Sequence, residues 1–267
     1  DPIKDPDFAV LLQGALLCND ANLEEIVAES GDRSWRIIGD PTEGAMVVAA
    51  AKGGFRRTET EKVFPRIQEI PFDSDRKRMT TIHRHDEIHD RISPSGFGYP
   101  PFIAFVKGAP DVVLDLCGGV LQNGQTVALT EQKRKEILEH NHDMASNALR
   151  ILGVAYRPLN NVPDSCNPDN IEKELTFIGL LGMIDPPRPE VLESLKVAAG
   201  AGLKTVMVTG DYRDTAEAIA GEIGLLTPNG LVLTGTELDT MSEAQLTDIV
   251  DNVDVCCRVS PAHKTMI

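Results

Sequence analysis

The run Asp185-Pro186-Pro187-Arg188-Pro189 constrains this chain more than any other segment. Adjacent prolines lack backbone donors and fix φ, so they join neither a strand ladder nor a helix interior, and the run reads as a stiff, extended hinge. Before it, Leu175 to Ile184 is a nearly unbroken apolar strand. After it the pattern alternates between helix 190–199, strand 203–208, helix 214–223 and a strand near 253–257. Such alternation indicates βα units on a parallel sheet. The length suits one large or two ordinary domains, and the hinge sets the expected division at residues 1–184 and 185–267.

Upstream of the hinge, Phe8 to Leu17 has helical spacing that continues to Asn22-Leu23-Glu24-Glu25. Asp40-Pro41-Thr42-Glu43 has the composition of a helix start and leads into the apolar helix Ala45 to Ala51, closed by Gly53-Gly54. Phe64 to Phe72 and Arg78 to His83 predict strands around a polar bend, and Phe102 to Lys107 and Arg150 to Tyr156 predict two more. Asn123-Gly124 between short β-like runs is a two-residue hairpin signal. Asp111 to Leu116 starts a short helix, and Thr130 to Leu149 is amphipathic. The fold class is α/β: an antiparallel sheet with flanking helices, then a partial Rossmann-like parallel domain.

A net charge of −15 opposes nucleic acid and anionic membrane surfaces as partners. It leaves room for one small anionic ligand held by a local cluster of Lys and Arg. Five cysteines show no metal-site spacing, and Cys256-Cys257 inside an apolar run read as buried thiols in a reducing cytosol. No apolar run approaches the ~20 residues of a membrane span. The chain is expected to be soluble. It opens at Asp1-Pro2 without an initiator Met and closes in mid-pattern, as a fragment would.

Several segments carry candidate chemistry. Thr209-Gly210-Asp211 follows the buried strand Thr205 to Val208 and precedes a helix that Asp214 or Thr215 can cap. Ligands of open α/β sheets bind at that edge, and free helix N-terminal amides favour phosphate. An ordinary tight turn accounts for the same residues. Arg258 and Lys264 follow the strand Val253 to Cys257 and suit charge stabilisation in phosphoryl transfer, or simple solvation. Phe72 with Arg76 and Lys77 offers a ring and two cations for a nucleobase and phosphates, or a core ring beside a basic turn. Lys107 ends a strand where backbone can approach a ligand, and Glu43 suits a first-turn helix acid. His83, His85 and His89 make a metal site conceivable, although the loop after them is polar and unpatterned.

Six segments stand in a telling order: Gly39-Asp40-Pro41-Thr42-Glu43-Gly44-Ala45, Pro71-Phe72-Asp73-Ser74-Asp75-Arg76-Lys77-Arg78-Met79, Lys107-Gly108-Ala109-Pro110-Asp111, Asp185-Pro186-Pro187-Arg188, Thr209-Gly210-Asp211, and Arg258-Val259-Ser260-Pro261-Ala262-His263-Lys264. Together they resemble the large cytoplasmic loop of P-type ATPases, in the calcium-pump-like branch, over essentially the whole chain. The resemblance implies a nucleotide-binding domain at 1–184 and part of a phosphorylation domain, of haloacid dehalogenase-like fold, at 185–267. It implies that Phe72 stacks on adenine, with Glu43 and Lys77 beside the base and Lys107 as the floor. Arg150 would reach the phosphates, with Leu152 packing near the nucleotide and Asp185 contributing to the same site. Thr209 and Asp211 would face the phosphoryl group and the magnesium or ribose region, and Lys264 would neutralise charge on the phosphorylated aspartate, with Arg258 nearby.

The implied ligands are ATP or ADP, with magnesium in the parent held mostly by residues elsewhere. The implied partners are the transmembrane and actuator domains of the same parent, a cation pump of the cell membrane that moves Ca²⁺. The family's Asp-Lys-Thr-Gly-Thr and Gly-Asp-Gly-x-Asn-Asp segments do not occur in these 267 residues. The chain is therefore expected to bind nucleotide without hydrolysing it. A free-standing phosphohydrolase would need an Asp-x-Asp nucleophile. Asp73-Ser74-Asp75 is the one candidate, and its flanks Pro71-Phe72 and Arg76-Lys77 are wrong for it. A non-catalytic ATP-binding module is the other alternative.

Overall fold

The computed structural model describes residues 5–27, 31, 33–85, 99–147, 149–162, 166–184, 187–260 and 263–265. The expectations for His89, Asp185 and Pro186 lie outside them. The described residues of Asp1–His142 and Arg150–Met183 form one compact unit, and those of Asp143–Leu149 and Ile184–Ile267 a second.

The first unit is built on helix α1 (Pro6–Leu17), apolar around its whole circumference. Asp5 caps it, accepting from the amides of Asp7 (3.0 Å) and Phe8 (3.3 Å). A helix with no polar stripe must be covered on all sides. One side of α1 packs Val10, Leu11 and Leu17 on a sheet, and the other packs Ala9, Leu12 and Leu16 against α2 (Pro41–Lys52) and Phe55. Helix α3 (Arg57–Val63) follows. The helix expected to continue through Glu25 instead stops at Leu17, and β1 (Asn22–Val27) pairs antiparallel with β2 (Arg33–Ile38).

The sheet beneath α1 has seven strands: β3 (Arg66–Asp73), β4 (Arg78–Arg84), β5 (Phe102–Gly108), β6 (Cys117–Gln122), β7 (Gln125–Ala128), β8 (Arg150–Leu159) and β9 (Leu175–Met183). Their order is β3-β4-β5-β8-β9-β6-β7, and every pair is antiparallel except β6–β9. Its far face packs on α4 (Pro110–Asp115). The Asn123-Gly124 hairpin forms with φ of 52° and 76°, and Asp7 holds both amides at 2.6 Å. Both φ values are positive, as the favoured two-residue turn requires. Helix α5 (Glu131–Ser146) follows the hairpin and α6 (Pro168–Ile171) precedes β9.

The second unit carries a parallel three-stranded sheet, order β10-β12-β11, from β10 (Met207–Val208), β11 (Leu231–Thr234) and β12 (Val253–Cys257). The helices are α7 (Pro189–Gly200), α8 (Arg213–Glu222), α9 (Gly235–Thr240) and α10 (Glu243–Ile249). The strand expected over 203–208 is paired with β12 at Met207 and Val208 only. Helix α8 starts at Arg213, ahead of Asp214 and Thr215, and no side chain caps it. That expectation is corrected.

Candidate functional site

At one end of the seven-stranded sheet a buried ion pair joins β5 to α2. Lys107 is 5% exposed, and its Nζ donates to Glu43 Oε1 at 2.5 Å. Glu43 sits in the first turn of α2, where Asp40 accepts from the amides of Thr42 (2.8 Å) and Glu43 (3.2 Å). Those amide bonds, the Glu43 amide foremost, hold the Asp40 carboxyl below its ordinary range, with some help from the Arg150 charge. The helix end is thus already occupied by its own carboxylate, which leaves it poorly placed to receive a phosphate.

Two arginines build the other side of Glu43. Arg57 Nη2 donates to the carbonyls of Leu16, Asn19 and Ala21, and Arg66 Nη2 to those of Leu17 and Asn19. The Leu16 and Leu17 carbonyls are among those a helix leaves unsatisfied at its C-terminus, and those of Asn19 and Ala21 belong to the segment that follows. With that segment fixed, the Asp20 amide donates to Glu43 Oε2 (3.2 Å) and Asn19 Nδ2 to the Glu43 carbonyl (2.9 Å). Cys18 is fully buried, and burial raises its thiol above the ordinary value even though the Lys107 charge pulls the other way.

Phe72 owes its position to a bulge. Ile70 pairs with Thr80 and Asp73 with Arg78, so Pro71 and Phe72 together oppose Met79. An extra residue breaks the in-out alternation and re-aims a side chain. Phe72 is 63% exposed, so it is not a core ring. Lys107 lies two strands away, opposite Met79 on β4, at about 10 Å by strand spacing. The bend after Phe72 is rigid. Asp73 accepts from the amides of Asp75 and Arg76, and Lys77 takes the left-handed conformation, φ 53°.

The cation pair read at Arg76 and Lys77 separates here. Arg76 Nη1 donates to both carboxylate oxygens of Glu172 (2.7 and 2.9 Å) and its Nη2 to the Pro71 carbonyl, whereas Lys77 is exposed. Glu172 is 3% exposed and also takes Arg78 Nε (2.6 Å) and the Thr80 hydroxyl (2.7 Å). Burial pushes its carboxyl up, but the bonds from Thr80, Arg76 and Arg78 outweigh that and hold it below the ordinary value. No sequence signal marks Glu172, which stands among charged residues and reads as solvated.

Leu152 packs on the core beside Leu181 and Met183. Arg150 is exposed four residues beyond Val154, the β8 partner of Lys107, about 14 Å along the strand. Phe72, Lys77, Lys107, Glu43, Leu152 and Arg150 therefore share one end of the sheet. His83 stands apart: it is buried, Nδ1–H donates to the Phe64 carbonyl and Nε2 accepts from the Thr81 hydroxyl, each at 2.9 Å. Burial drives its pKa down to about 4.

In the second unit, Thr209 Oγ1 donates to Asp211 Oδ2 (2.7 Å) and accepts the Asp211 amide (3.1 Å). Arg258, with φ 52°, donates its amide to the Asp211 carbonyl and lays its guanidinium over the Tyr212 ring at 4.4 Å. Val259 N bonds to Thr209 O, so the loops after β10 and β12 are stitched together. Lys264 is exposed on the turn His263–Thr265. No group of three His, Cys, Asp or Glu gathers to hold a metal ion among the described residues. These residues do not form a magnesium shell by themselves.

The P-type ATPase cytoplasmic domain N family matches residues 7–190. The chain belongs to the P-type ATPase family. It is 41% identical over 258 residues to calcium-transporting ATPase 1 of Bacillus cereus, covering 97% of this chain and 26% of that protein. It is 40% identical over 261 residues to the calcium-transporting ATPase of Bacillus subtilis, covering 97% and 27%. Against cation-transporting ATPase pma1 of Synechocystis it is 37% identical over 259 residues, covering 96% and 26%. The chain spans about a quarter of the length of these curated relatives. No described helix is long and apolar enough to cross a membrane.

Proposed function

We propose that this P-type ATPase segment binds ATP at the sheet end that carries Phe72, Lys107 and Glu43, as the cytoplasmic nucleotide-binding part of a membrane cation pump. The pump's cargo is Ca²⁺ in this reading, which the printed names of the Bacillus relatives support. Adenine stacks on Phe72. The Lys107–Glu43 pair closes the floor, Lys77 lies beside the base, and the phosphates extend toward Arg150. Residues 1–184 would be the nucleotide domain and 185–267 part of the phosphorylation domain, with Asp185 at their junction. There Thr209, Asp211, Arg258 and Lys264 stabilise charge on the transferred phosphoryl group, whose aspartate acceptor belongs to a segment not among these residues. The transmembrane and actuator domains of the same parent would be its mechanical partners.

The supporting observation is an exposed aromatic ring, set by a bulge, beside a buried charge pair. A small-ligand site combines apolar or aromatic surface with a few placed polar groups, which is what Phe72 and the Lys107–Glu43 pair offer at one sheet end. One ring and a few cations on an acidic chain should give a Kd on the order of 0.1–1 mM, or about 4–5.5 kcal/mol. Calorimetric titration checks this. Phe72→Ala should lose roughly 1–3 kcal/mol, the usual worth of a base-stacking ring. Unchanged affinity in that variant would refute the assignment.

A further inference from the structure

The proposed nucleotide site leaves one concave surface of the first unit unused. The β1–β2 hairpin, α1, α2 and α3 enclose a groove of 540 Å³, within the ~300–1,000 Å³ typical of small-molecule sites. Leu23 pairs with Ile37 and Glu25 with Trp35, so these four side chains share one face of the ribbon. Ile37 seats that face on α2: a Cβ at Gly44 would collide with it. Leu16, Leu23, Trp35, Val47, Val48 and Phe55 provide the apolar walls.

The roof is the weak part. A two-stranded ribbon is marginal in water by itself, and this one is exposed along almost its whole length. Trp35, the single tryptophan, lines the groove yet is 52% exposed. The rim is cationic: Lys52, Arg56 and Arg57 stand against one acid, Glu25. Glu25 is paired with Arg33 at 3.0 Å, and Arg57 is committed to Glu61 and the α1 carbonyls. Lys52 and Arg56 are exposed and have no acidic partner among the described residues. In a chain of net charge −15, two uncommitted cations at the mouth of an apolar groove are a local exception.

We propose that this groove binds a monoanionic amphiphile, a medium-chain aliphatic carboxylate, with its chain between Trp35, Val47 and Phe55 and its head group at Lys52 and Arg56. Charge complementarity selects the anion. The apolar walls select a chain over a free carboxylate, since burying apolar area is the larger favourable term. Occupancy covers the exposed half of Trp35 and supplies the packing that the hairpin lacks.

The test uses the whole chain. Sodium decanoate, decanol and decyltrimethylammonium are titrated below their micelle concentrations while Trp35 emission is followed. Decanoate should give a saturable blue shift. Lys52→Glu/Arg56→Glu should weaken decanoate at least tenfold while leaving the weaker decanol response and the ATP affinity unchanged. Both side chains are exposed, so the variant is expected to keep its fold. A non-saturating shift, an equal response to the cationic amphiphile, or an unchanged decanoate Kd in the double variant overturns the proposal. None of these outcomes depends on whether ATP binds.

Discussion

Removing Glu43 and removing Lys107 should have unequal costs. Their side chains are 19% and 6% exposed, and the Lys107 ammonium donates to Glu43 Oε1. Glu43 has a second partner in the Asp20 amide, and it reaches solvent. Glu43→Ala strands a buried ammonium. An unpaired buried charge costs about 3–5 kcal/mol, and the lower end applies to a pair this near the surface. Lys107→Met keeps the apolar stem and leaves a carboxylate with an amide and water, at about 1 kcal/mol. The double variant removes the stranded charge, so it should lose only about 2 kcal/mol, a coupling of about 2 kcal/mol between the sites. Urea unfolding followed by Trp35 emission reports on the first unit, since Trp35 lies there. The two single variants should then differ in midpoint by about 1 M. Equal midpoints, or strictly additive losses, would show that Lys107 does not depend on Glu43.

Three more outcomes are expected. With a folded pKa of about 4 against an ordinary 6.5, His83 leaves stability intact above pH 6.5. Below that the unfolded chain gains a proton that the folded one refuses, so about 2 kcal/mol should be lost by pH 5; His83→Gln should flatten the urea midpoint between pH 7 and 5. A Cβ at Gly108 would lie 2.5 Å from the Lys77 carbonyl, whereas one at Gly210 would meet nothing within 4 Å. Gly108→Ala should therefore lose about 1–3 kcal/mol and Gly210→Ala less than about 0.5 kcal/mol by chemical denaturation. With γ-labelled ATP and magnesium the chain should form no acid-stable phosphoprotein, because Thr209 and Lys264 stabilise charge but do not replace a carboxylate nucleophile. Hydroxylamine-sensitive label on this chain would contradict that.

Much of the fold was legible because its signals are local. The Asn123-Gly124 turn, the Asp40-Pro41 helix start and the apolar strands need only neighbouring residues to declare themselves. Asn22 to Glu25 misled because its composition suits a helix; the choice is made by the pairing of β1 with Arg33–Ile38 and by Arg57 and Arg66, which take the Leu16 and Leu17 carbonyls. Helices α9 and α10 are announced by capping boxes, Thr234 with Glu237 and Ser242 with Gln245, a local signal that apolar periodicity does not carry. At the candidate site, Phe72, Lys107 and Glu43 were legible as a set of motifs. Their support was not, since Glu172, Arg57 and Arg66 act across 36 to 96 residues of chain.

Glu172 also sets a clock. Phe72, Lys77 and Lys107 leave the ribosome early, but the carboxylate that locks their turn is made later, together with β9, while β8 comes only shortly before. At the usual ~5–20 residues per second, the stretch from Lys107 to Glu172 takes roughly 3–13 s. Until β8 is made, which is most of that interval, β5 is an open edge, and throughout it Arg76 and Arg78 lack the Glu172 carboxylate. The candidate site is therefore among the last parts of its unit to be completed, and a nascent chain carries Phe72 and Lys77 for seconds before the turn that holds them is locked.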